Sequence, residues 1–329
     1  MTSDMRVGLE AFLSAEMGES VTVTDLEPVS SVGNARDPWF FIARWGHNER
    51  SVEQRCVMLV KAAAGQLDTT LRPEFATIAA LAGSGVPVPK ALWLEETGRF
   101  IGRPFFITGW LPGTADTRVL RGTEHVSAIR SVAQELAAVA AQLHAVDTDR
   151  AAHLSSSEPK EVAAAQLAFW RDQFERHRLE PHPELVYVFS WLAQRRPVAR
   201  RISIVHGDLR FGNILYDGDR LTALLDWEMV HLGDPVEDLG WVYRALWSPL
   251  RSLPFEEFLV AYQQAGGHLP EPEHLRWYQI FSEIKHSVIS LTAGRSFADK
   301  ATSSLRHADR AATIPAFMTR VWELLGETC

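Results

Sequence analysis

The pattern of apolar and polar positions changes near residue 112. Before that point, short apolar runs alternate with turns, which is typical of β-strands. These runs lie at residues 39–45, 55–62, 91–96 and 103–111. Between the second and the third run, residues 71–81 carry apolar side chains at helical spacing, and glycines and prolines follow them. The first part of the chain is therefore predicted to be a sheet with one inserted helix.

Helical patterns dominate after residue 124. They lie at residues 125–146, 159–178, 184–195, 235–247, 255–265, 272–290 and 304–325. The exception is the stretch 202–228, where short apolar runs alternate with Gly and Asp. This stretch predicts a loop followed by a hairpin that turns at residues 217–219. The whole pattern predicts an α+β fold with two domains, residues 1–111 and 112–329.

The composition is that of an ordinary globular protein, with 46% hydrophobic residues and a formal net charge of -8 over 329 residues. Because no block of basic residues occurs, a nucleic-acid partner is not expected. Cys56 and Cys329 are too few for a disulfide framework. No long apolar window occurs, and Asp4 and Glu10 interrupt the start of the chain. We therefore expect neither a membrane span nor a signal peptide, and we predict a cytoplasmic protein.

Three polar residues stand in apolar surroundings. Asp208 and Asn213 follow the run ISIV, and Asp226 follows LTALL. A buried carboxylate is costly unless something pairs with it, and oxygen ligands of this kind suit Mg²⁺. Mg²⁺ takes few protein carboxylates, since phosphates and water complete its shell. The residues therefore predict a Mg²⁺ site at Asn213 and Asp226, with Asp208 available as a base.

The segment 206–213, which reads HGDLRFGN, resembles the catalytic loop of kinases with its pattern H-x-D-x-x-x-x-N. Asp226 follows 13 residues later, where the metal-binding Asp of kinases is expected. The glycine at position 207, where protein kinases have arginine, and the segments 233–235 and 238–239 form a pattern that resembles the aminoglycoside phosphotransferase and choline kinase superfamily. This similarity spans essentially the whole chain.

The resemblance implies a protein-kinase-like fold of two lobes: a small β-rich lobe with one main helix and a larger, mainly helical lobe. It implies an ATP- and Mg²⁺-dependent enzyme that transfers a phosphoryl group to the hydroxyl of a small molecule. Asp208 would accept the proton of that hydroxyl, while Asn213 and Asp226 hold the metal. Arg210 would place a fixed charge on the phosphoryl group or on an anionic substrate.

Lys61 and Glu74 match the strand lysine and the helix glutamate of the kinase frame. There the lysine holds the α- and β-phosphates and is itself held by the glutamate. Without the resemblance, the same residues would be an edge charge on a strand and a first-turn residue that favours the helix dipole.

Two further segments would hold the nucleotide. The turn with Ser31 and Gly33 would cover the phosphates, although its single glycine departs from the G-x-G-x-x-G of protein kinases. Backbone groups from Thr108 to Trp110 would bind the base. The family usually shows Met-Glu near that point, so Thr108-Gly109 leaves open how strictly ATP is preferred over GTP.

The neighbours of the motif have supporting roles in this interpretation. His206 packs against the metal-binding segment, and Asp238 braces the backbone of the catalytic loop. The aromatic residues Trp241, Tyr243 and Trp247 recur at helical spacing and are expected in the core of the larger lobe.

The phosphate acceptor stays open between two classes. The motif region is similar to kinase-like domains fused to, or encoded beside, acyl-CoA dehydrogenases, and that branch implies hydroxyacyl thioesters. Aminoglycosides or other antibiotics are the alternative. Aminoglycosides are polycations, and their pockets in this fold tend to be acid-rich; the candidate acidic residues are Glu256, Glu257, Glu271 and Glu273, which could equally lie on solvated helix faces. A non-catalytic nucleotide-binding pseudokinase is a third reading. We expect a monomer or a homodimer.

Overall fold

The computed structural model describes residues 2–29, 36–46, 51–62, 69–121, 124–244, 247–249 and 251–326. Its N-terminal part contains a five-stranded antiparallel sheet in the order β1-β2-β3-β5-β4. The elements are α1 (Thr2–Met17), β1 (Thr22–Pro28), β2 (Arg36–Trp45), β3 (Val52–Lys61), α2 (Leu71–Ala80), β4 (Ala91–Glu95) and β5 (Phe105–Gly109). The predicted strands and the inserted helix are thus confirmed, while α1 and β1 are additional.

One face of this sheet packs against α1. Cys56, Met58 and Val60 alternate along β3 and are fully buried, as expected for a strand with one face in the core. Phe12 of α1 meets Phe105 of β5 edge-on, with ring centroids 5.0 Å apart. The apolar positions of α1 recur at helical spacing, so its apolar side packs onto this face of the sheet.

The rest of the chain is mainly helical. Its helices are α3 (Thr117–Arg121), α4 (Val126–Ala145), α5 (Val162–His177), α6 (Pro183–Gln194), α7 (Val236–Val242), α8 (Phe255–Gln264), α9 (Pro272–Ala298), α10 (Leu305–Ala311) and α11 (Ile314–Leu325). Short strands interrupt them, namely β6 (Ser203–Val205), β7 (Ile214–Asp217), β8 (Arg220–Leu224) and β9 (His231–Gly233). The α+β class is therefore confirmed.

A second hydrophobic cluster fills this helical part. It also takes in Leu71 and Ile78 of α2 and Phe106 of β5. The helix inserted into the sheet therefore packs its apolar face toward the helical part, which places Glu74 of α2 near the loops that follow β6 and β8.

The helix bounds differ from the predicted ones at three places. The predicted helix 304–325 is two helices, because Pro315 lies in the first turn of α11 and cannot continue a helix from α10. α7 ends at Val242 rather than at residue 247, and α9 continues to Ala298. None of the helices in the described ranges is both long and apolar enough to span a membrane.

The exceptional stretch of the sequence forms two small sheets. β7 and β8 pair as a hairpin whose turn contains Gly218, at φ 60°. β6 pairs with β9, which brings the loop after β6 beside the loop after β8. The predicted hairpin is therefore confirmed. The candidate site lies where the loops after β6 and β8 meet.

Candidate active site

Three donors hold the carboxylate of Asp208, which is 7% exposed. The side-chain amide nitrogen Nδ2 of Asn213 donates to Oδ2 at 2.6 Å, and Nε of Arg210 donates to the same oxygen at 3.1 Å. The indole nitrogen of Trp241 donates to Oδ1 at 2.7 Å. The structure therefore brings Asp208, Arg210 and Asn213 together as predicted. Trp241 is buried as expected, but it also orients the base, which the sequence reading missed.

Buried charged side chains hold the backbone of the loop 206–213, which carries Asp208 and is called the Asp208 loop. Asp238 accepts the amide protons of His206 and Gly207 at 2.8 and 2.9 Å, and His144 donates to Asp238 at 3.1 Å. Lys285 donates to the carbonyl of Gly207 at 2.5 Å. The predicted bracing role of Asp238 is borne out by these contacts.

His206 and Gly207 pack the loop against the segment around Asp226. Nε2 of His206 donates to the carbonyl of Leu225 at 3.0 Å, and its ring lies 4.5 Å from that of Trp227. Burial lowers the pKa of His206, which keeps this imidazole neutral. Gly207 has φ 80°, and a Cβ there would lie 2.4 Å from the carbonyl oxygen of Met229. Only glycine fits this approach.

Asp226 combines a strained backbone with a side-chain oxygen that has no partner. Its φ is 65°, a conformation that non-glycine residues adopt at a cost, and its buried Oδ1 has no hydrogen-bond partner. Burial, followed by repulsion from Asp208 and Glu74, raises the pKa of Asp226 to about 7. These observations describe a carboxylate that needs a cation.

Glu228 is a further carboxylate of the site that sequence reasoning left without a role. Its buried Oε2 lies 3.9 Å from Nη1 of Arg36 and accepts no hydrogen bond. Burial, and then the charge of Asp226, raise its pKa well above the usual value. Its position two residues after Asp226, again in apolar surroundings, was the available signal.

The expected pair between Lys61 and Glu74 is replaced by a pair between Arg36 and Glu74. Nη2 and Nε of Arg36 donate to Oε2 of Glu74 at 2.8 and 3.0 Å. Burial raises the pKa of Glu74 and Arg36 opposes the shift. Arg36 stands directly opposite Lys61 in the β2–β3 register, so both cations lie on one face. Two nitrogens of the planar guanidinium bond Glu74, while the third lies 3.9 Å from Glu228, a geometry that a lysine ammonium does not offer.

The remaining nucleotide-binding residues are only partly located. Ser31 and Gly33 lie outside the described residues. Thr108 is buried in β5, and the amide of Trp110 donates to the carbonyl of Arg55 at 3.0 Å. The amide of Gly109 donates to Lys90 at 2.8 Å. Since these two amides are used within the protein, a base would have to be held by other groups of this segment.

The residues fit a Mg²⁺ ion that shares its shell with phosphates. The amide nitrogen of Asn213 donates to Asp208, and its oxygen receives no hydrogen bond from the described residues, while Asp226 has an unpartnered Oδ1. Within the same residues, no group of three or more His, Cys, Asp or Glu forms a metal site. A site with one protein carboxylate and one amide is the kind that Mg²⁺ uses with nucleotide phosphates.

The arrangement of Asp208, Asn213 and Asp226, beside a sheet joined to a helical part, is typical of kinase-like phosphotransferases. The family model described as "Phosphotransferase enzyme family" matches residues 47–278. The chain belongs to this family.

The relatives agree with the family resemblance seen in the sequence. Acyl-CoA dehydrogenase family member 10 of Mus musculus is 30% identical over 179 residues, which are 54% of this chain and 17% of that protein. The chain therefore spans only a small part of that relative. A Ralstonia eutropha protein assigned as an aminoglycoside phosphotransferase has a structure with a TM-score of 0.74 and 23% identity, covering 96% of this chain and 97% of its own.

A further structure is that of the aminoglycoside phosphotransferase APH(4)-Ia in a ternary complex with ADP and hygromycin B. It has a TM-score of 0.64 and 16% identity, and the match covers 98% of this chain and 100% of its own. At this identity the likeness concerns the fold. The kinase-like fold of two lobes is thereby confirmed, and the boundary near residue 112 stays a prediction.

Proposed function

We propose that this chain transfers the γ-phosphate of ATP to the hydroxyl of a small molecule, with Mg²⁺. The observation that carries the proposal is the buried pair Asp208 and Asp226. One carboxylate is fully hydrogen-bonded and oriented, and the other keeps an oxygen without a partner. Proton acceptance and cation binding are thus assigned to different side chains, as phosphoryl transfer requires.

Asp208 positions the acceptor hydroxyl and takes its proton. Asn213 and Trp241 fix the two carboxylate oxygens, so the side chain loses little further entropy when the acceptor binds. Arg210 donates to the same carboxylate, and we assign its positive charge to the phosphoryl group in transfer. When bound at Asn213 and Asp226, Mg²⁺ would neutralise charge on the nucleotide phosphates.

Arg36 completes the nucleotide side of the site. It joins β2 to Glu74 of α2 and, at longer range, to Glu228 beyond Asp226. We propose that this bridge keeps the sheet and the metal-binding segment in register, with Lys61 on the same face of the sheet for the phosphates. Ser31, Gly33, Thr108 and Trp110 remain proposed nucleotide contacts.

Hydroxyacyl thioesters are the acceptor class that we propose. Support comes from the similarity to acyl-CoA dehydrogenase family member 10. The antibiotic alternative rests on the hygromycin-bound structural neighbour. Against it, the four acidic residues considered for a polycation pocket are all exposed: Glu256, Glu257, Glu271 and Glu273. Glu257 and Glu273 are also paired with arginines.

Binding of Mg·ATP should raise the melting temperature, because a ligand that binds only the folded state stabilises it. At a ligand concentration of about 100 Kd the gain is about 2.7 kcal/mol. Differential scanning fluorimetry with ATP, with and without Mg²⁺, measures this effect. If millimolar ATP gives no Mg²⁺-dependent shift, the proposed function is wrong.

Replacing Asp226 with Asn should remove the Mg²⁺-dependent part of that shift, because the metal loses its carboxylate. The protein without ligand should be as stable as the wild type or more stable, since the substitution removes a buried charge whose pKa is raised to about 7. Asn also tolerates the positive φ of this position. Wild-type Mg²⁺ dependence in the variant would remove Asp226 from the metal site.

A further inference from the structure

The charge of Asp208 acts on three arginines, and two of them, Arg244 and Arg310, have no role in the proposed transfer reaction. The three are Arg210 after β6, Arg244 after α7 and Arg310 on α10, and we call them the arginine cluster. The guanidinium of Arg210 lies 5.6 Å from the ring centre of Trp247, and that of Arg244 lies 5.2 Å from the same ring. The cationic groups of Arg210 and Arg244 therefore lie against the same aromatic ring.

Arg244 is the anchored member of the cluster. It is buried, pairs with Glu283 of α9, and donates to the carbonyl of Ser282 at 3.1 Å. Its guanidinium also lies 5.2 Å from the rings of Trp241 and Phe317. Burial lowers the pKa of Arg244 to about 10, so it stays protonated at neutral pH. Its charge is balanced by Glu283.

His286 of α9 lies beside Trp247 and adds no positive charge to the cluster. Its ring stacks on Phe317 at 4.4 Å and lies 5.5 Å from Trp247. Burial, followed by the charges of Arg244, Arg310 and Arg210, lowers its pKa well below the usual value. The imidazole is therefore neutral, and its buried Nδ1 has no hydrogen-bond partner.

Arg310 is the member without a balancing carboxylate. α10 packs on α9 so closely that a Cβ at Gly294 would lie 3.0 Å from that of Ala311. Within the part of the chain that the structure describes, no carboxylate lies within 4.0 Å of Arg310. Burial, followed by repulsion from Arg210, lowers its pKa. His307, one turn earlier on the same face, is buried with both ring nitrogens unpartnered.

One arginine of the cluster has no paired carboxylate among the described residues. Asp208 balances Arg210 and Glu283 balances Arg244, while Arg310 adds a further positive charge and His286 and His307 offer unpartnered nitrogens. Buried polar groups normally have partners, so a bound ligand is expected to supply them. We propose that the acceptor carries an anionic group, a carboxylate or a phosphate, which binds the arginine cluster through Arg310 while its hydroxyl faces Asp208.

This inference rests on the proposed function and narrows its acceptor. It excludes polycations, whose charges the cluster would repel, and it requires a negative charge on the acceptor. The charge could come from a carboxylate on the acyl chain or from the phosphates of a coenzyme A thioester. Both sources share the chemistry of an anion held by guanidinium groups.

The test compares matched acceptors with one hydroxyacyl chain: the coenzyme A thioester, the free hydroxy acid and its neutral methyl ester. In the wild type, kcat/KM should be at least about tenfold higher for an anionic acceptor than for the ester, the effect of one charge-assisted hydrogen bond. Arg310→Gln should reduce that ratio about tenfold through KM, and Arg310→Lys should restore part of it. The thioester and the free acid distinguish the two sources of charge.

Arg306→Gln is the matched control, because it removes the same charge from an exposed position of the same helix. The inference would be overturned if Arg306→Gln lowered the ratio of kcat/KM values as much as Arg310→Gln. It would also be overturned if the wild type had the same kcat/KM for the ester as for the anionic acceptors. Either result would leave the proposed phosphotransfer intact. If none of the acceptors consumes ATP, the proposed acceptor class fails first. Calorimetric binding of the free acid and of coenzyme A then decides: binding weakened by Arg310→Gln supports the cluster, and absence of binding by both anions refutes it.

Discussion

Replacing Asp208 with Asn should lower turnover by roughly 10² to 10⁴, the contribution of a general base. Binding of Mg·ATP should survive, because the amide can still accept from Asn213 or Trp241 and the fold of the loop depends on Asp238 instead. The measurement is the rate of ATP consumption with an accepted substrate, together with the ATP-dependent melting shift of the same variant.

Asp217→Asn is a suitable control for this substitution. Asp217 ends β7 on the exposed side of the hairpin, so the same chemical change occurs away from the site. It should alter neither rate nor melting shift. If Asp208→Asn stays within a factor of about two of the wild-type rate, the assignment of the base is wrong, since that change is far below a general-base contribution.

Replacing Lys285 with Met should destabilise the protein by about 3–5 kcal/mol, because the buried carboxylate of Glu237 loses its lysine partner and keeps only His231. Lys285 is 1% exposed and lies 2.9 Å from Oε1 of Glu237. It also donates to the carbonyl of Gly207, so the loss should extend to the Asp208 loop. Urea unfolding of the variant measures the free energy of unfolding.

The pH dependence of this loss checks its cause. Burial alone would raise the pKa of Glu237, but Lys285 and His231 outweigh burial and lower it to about 2 from 4.5. A lowered pKa in the folded state gives stability above the unfolded value, and that stability is lost as the pH falls toward 2. The difference between Lys285→Met and the wild type should therefore shrink below about pH 4.5.

Two comparisons complete this experiment. The exposed Lys160→Met should change the free energy of unfolding by no more than about 0.5 kcal/mol. Adding Glu237→Gln to Lys285→Met should recover part of the lost stability, since the buried carboxylate that lost its lysine partner is then removed. A double variant as unstable as Lys285→Met would show that packing, rather than the charge of Glu237, causes the loss.

Local sequence signals predicted the parts of the site that depend on neighbours in the chain. The hairpin and the loop from His206 to Asn213 are marked by Gly and Asp in short apolar runs, and the structure follows them closely. Pro315 also gave a signal, since a proline inside a helical pattern ends the helix, and the break between α10 and α11 lies there.

The contacts that the sequence did not predict depend on pairing between distant segments. Arg36 and Lys61 become neighbours only through the register of β2 and β3, so the chain alone could not tell which cation reaches Glu74. Helical spacing correctly placed Trp241 in the core, but the partner of its indole nitrogen is set by where the Asp208 loop crosses α7. The cluster around Arg310 needs α10 to fold back on α9.

The close approach of Gly207 to Met229 means that the sequence at position 207 and the backbone path after Asp226 constrain each other. Any side chain at position 207 would collide with the backbone at 229, so a larger residue there requires a different path for the chain after Asp226. We therefore expect homologous chains with a non-glycine residue at this position to show a changed length or conformation between positions 226 and 231. A loop graft from a protein kinase that carries arginine here should fail unless both segments are exchanged together.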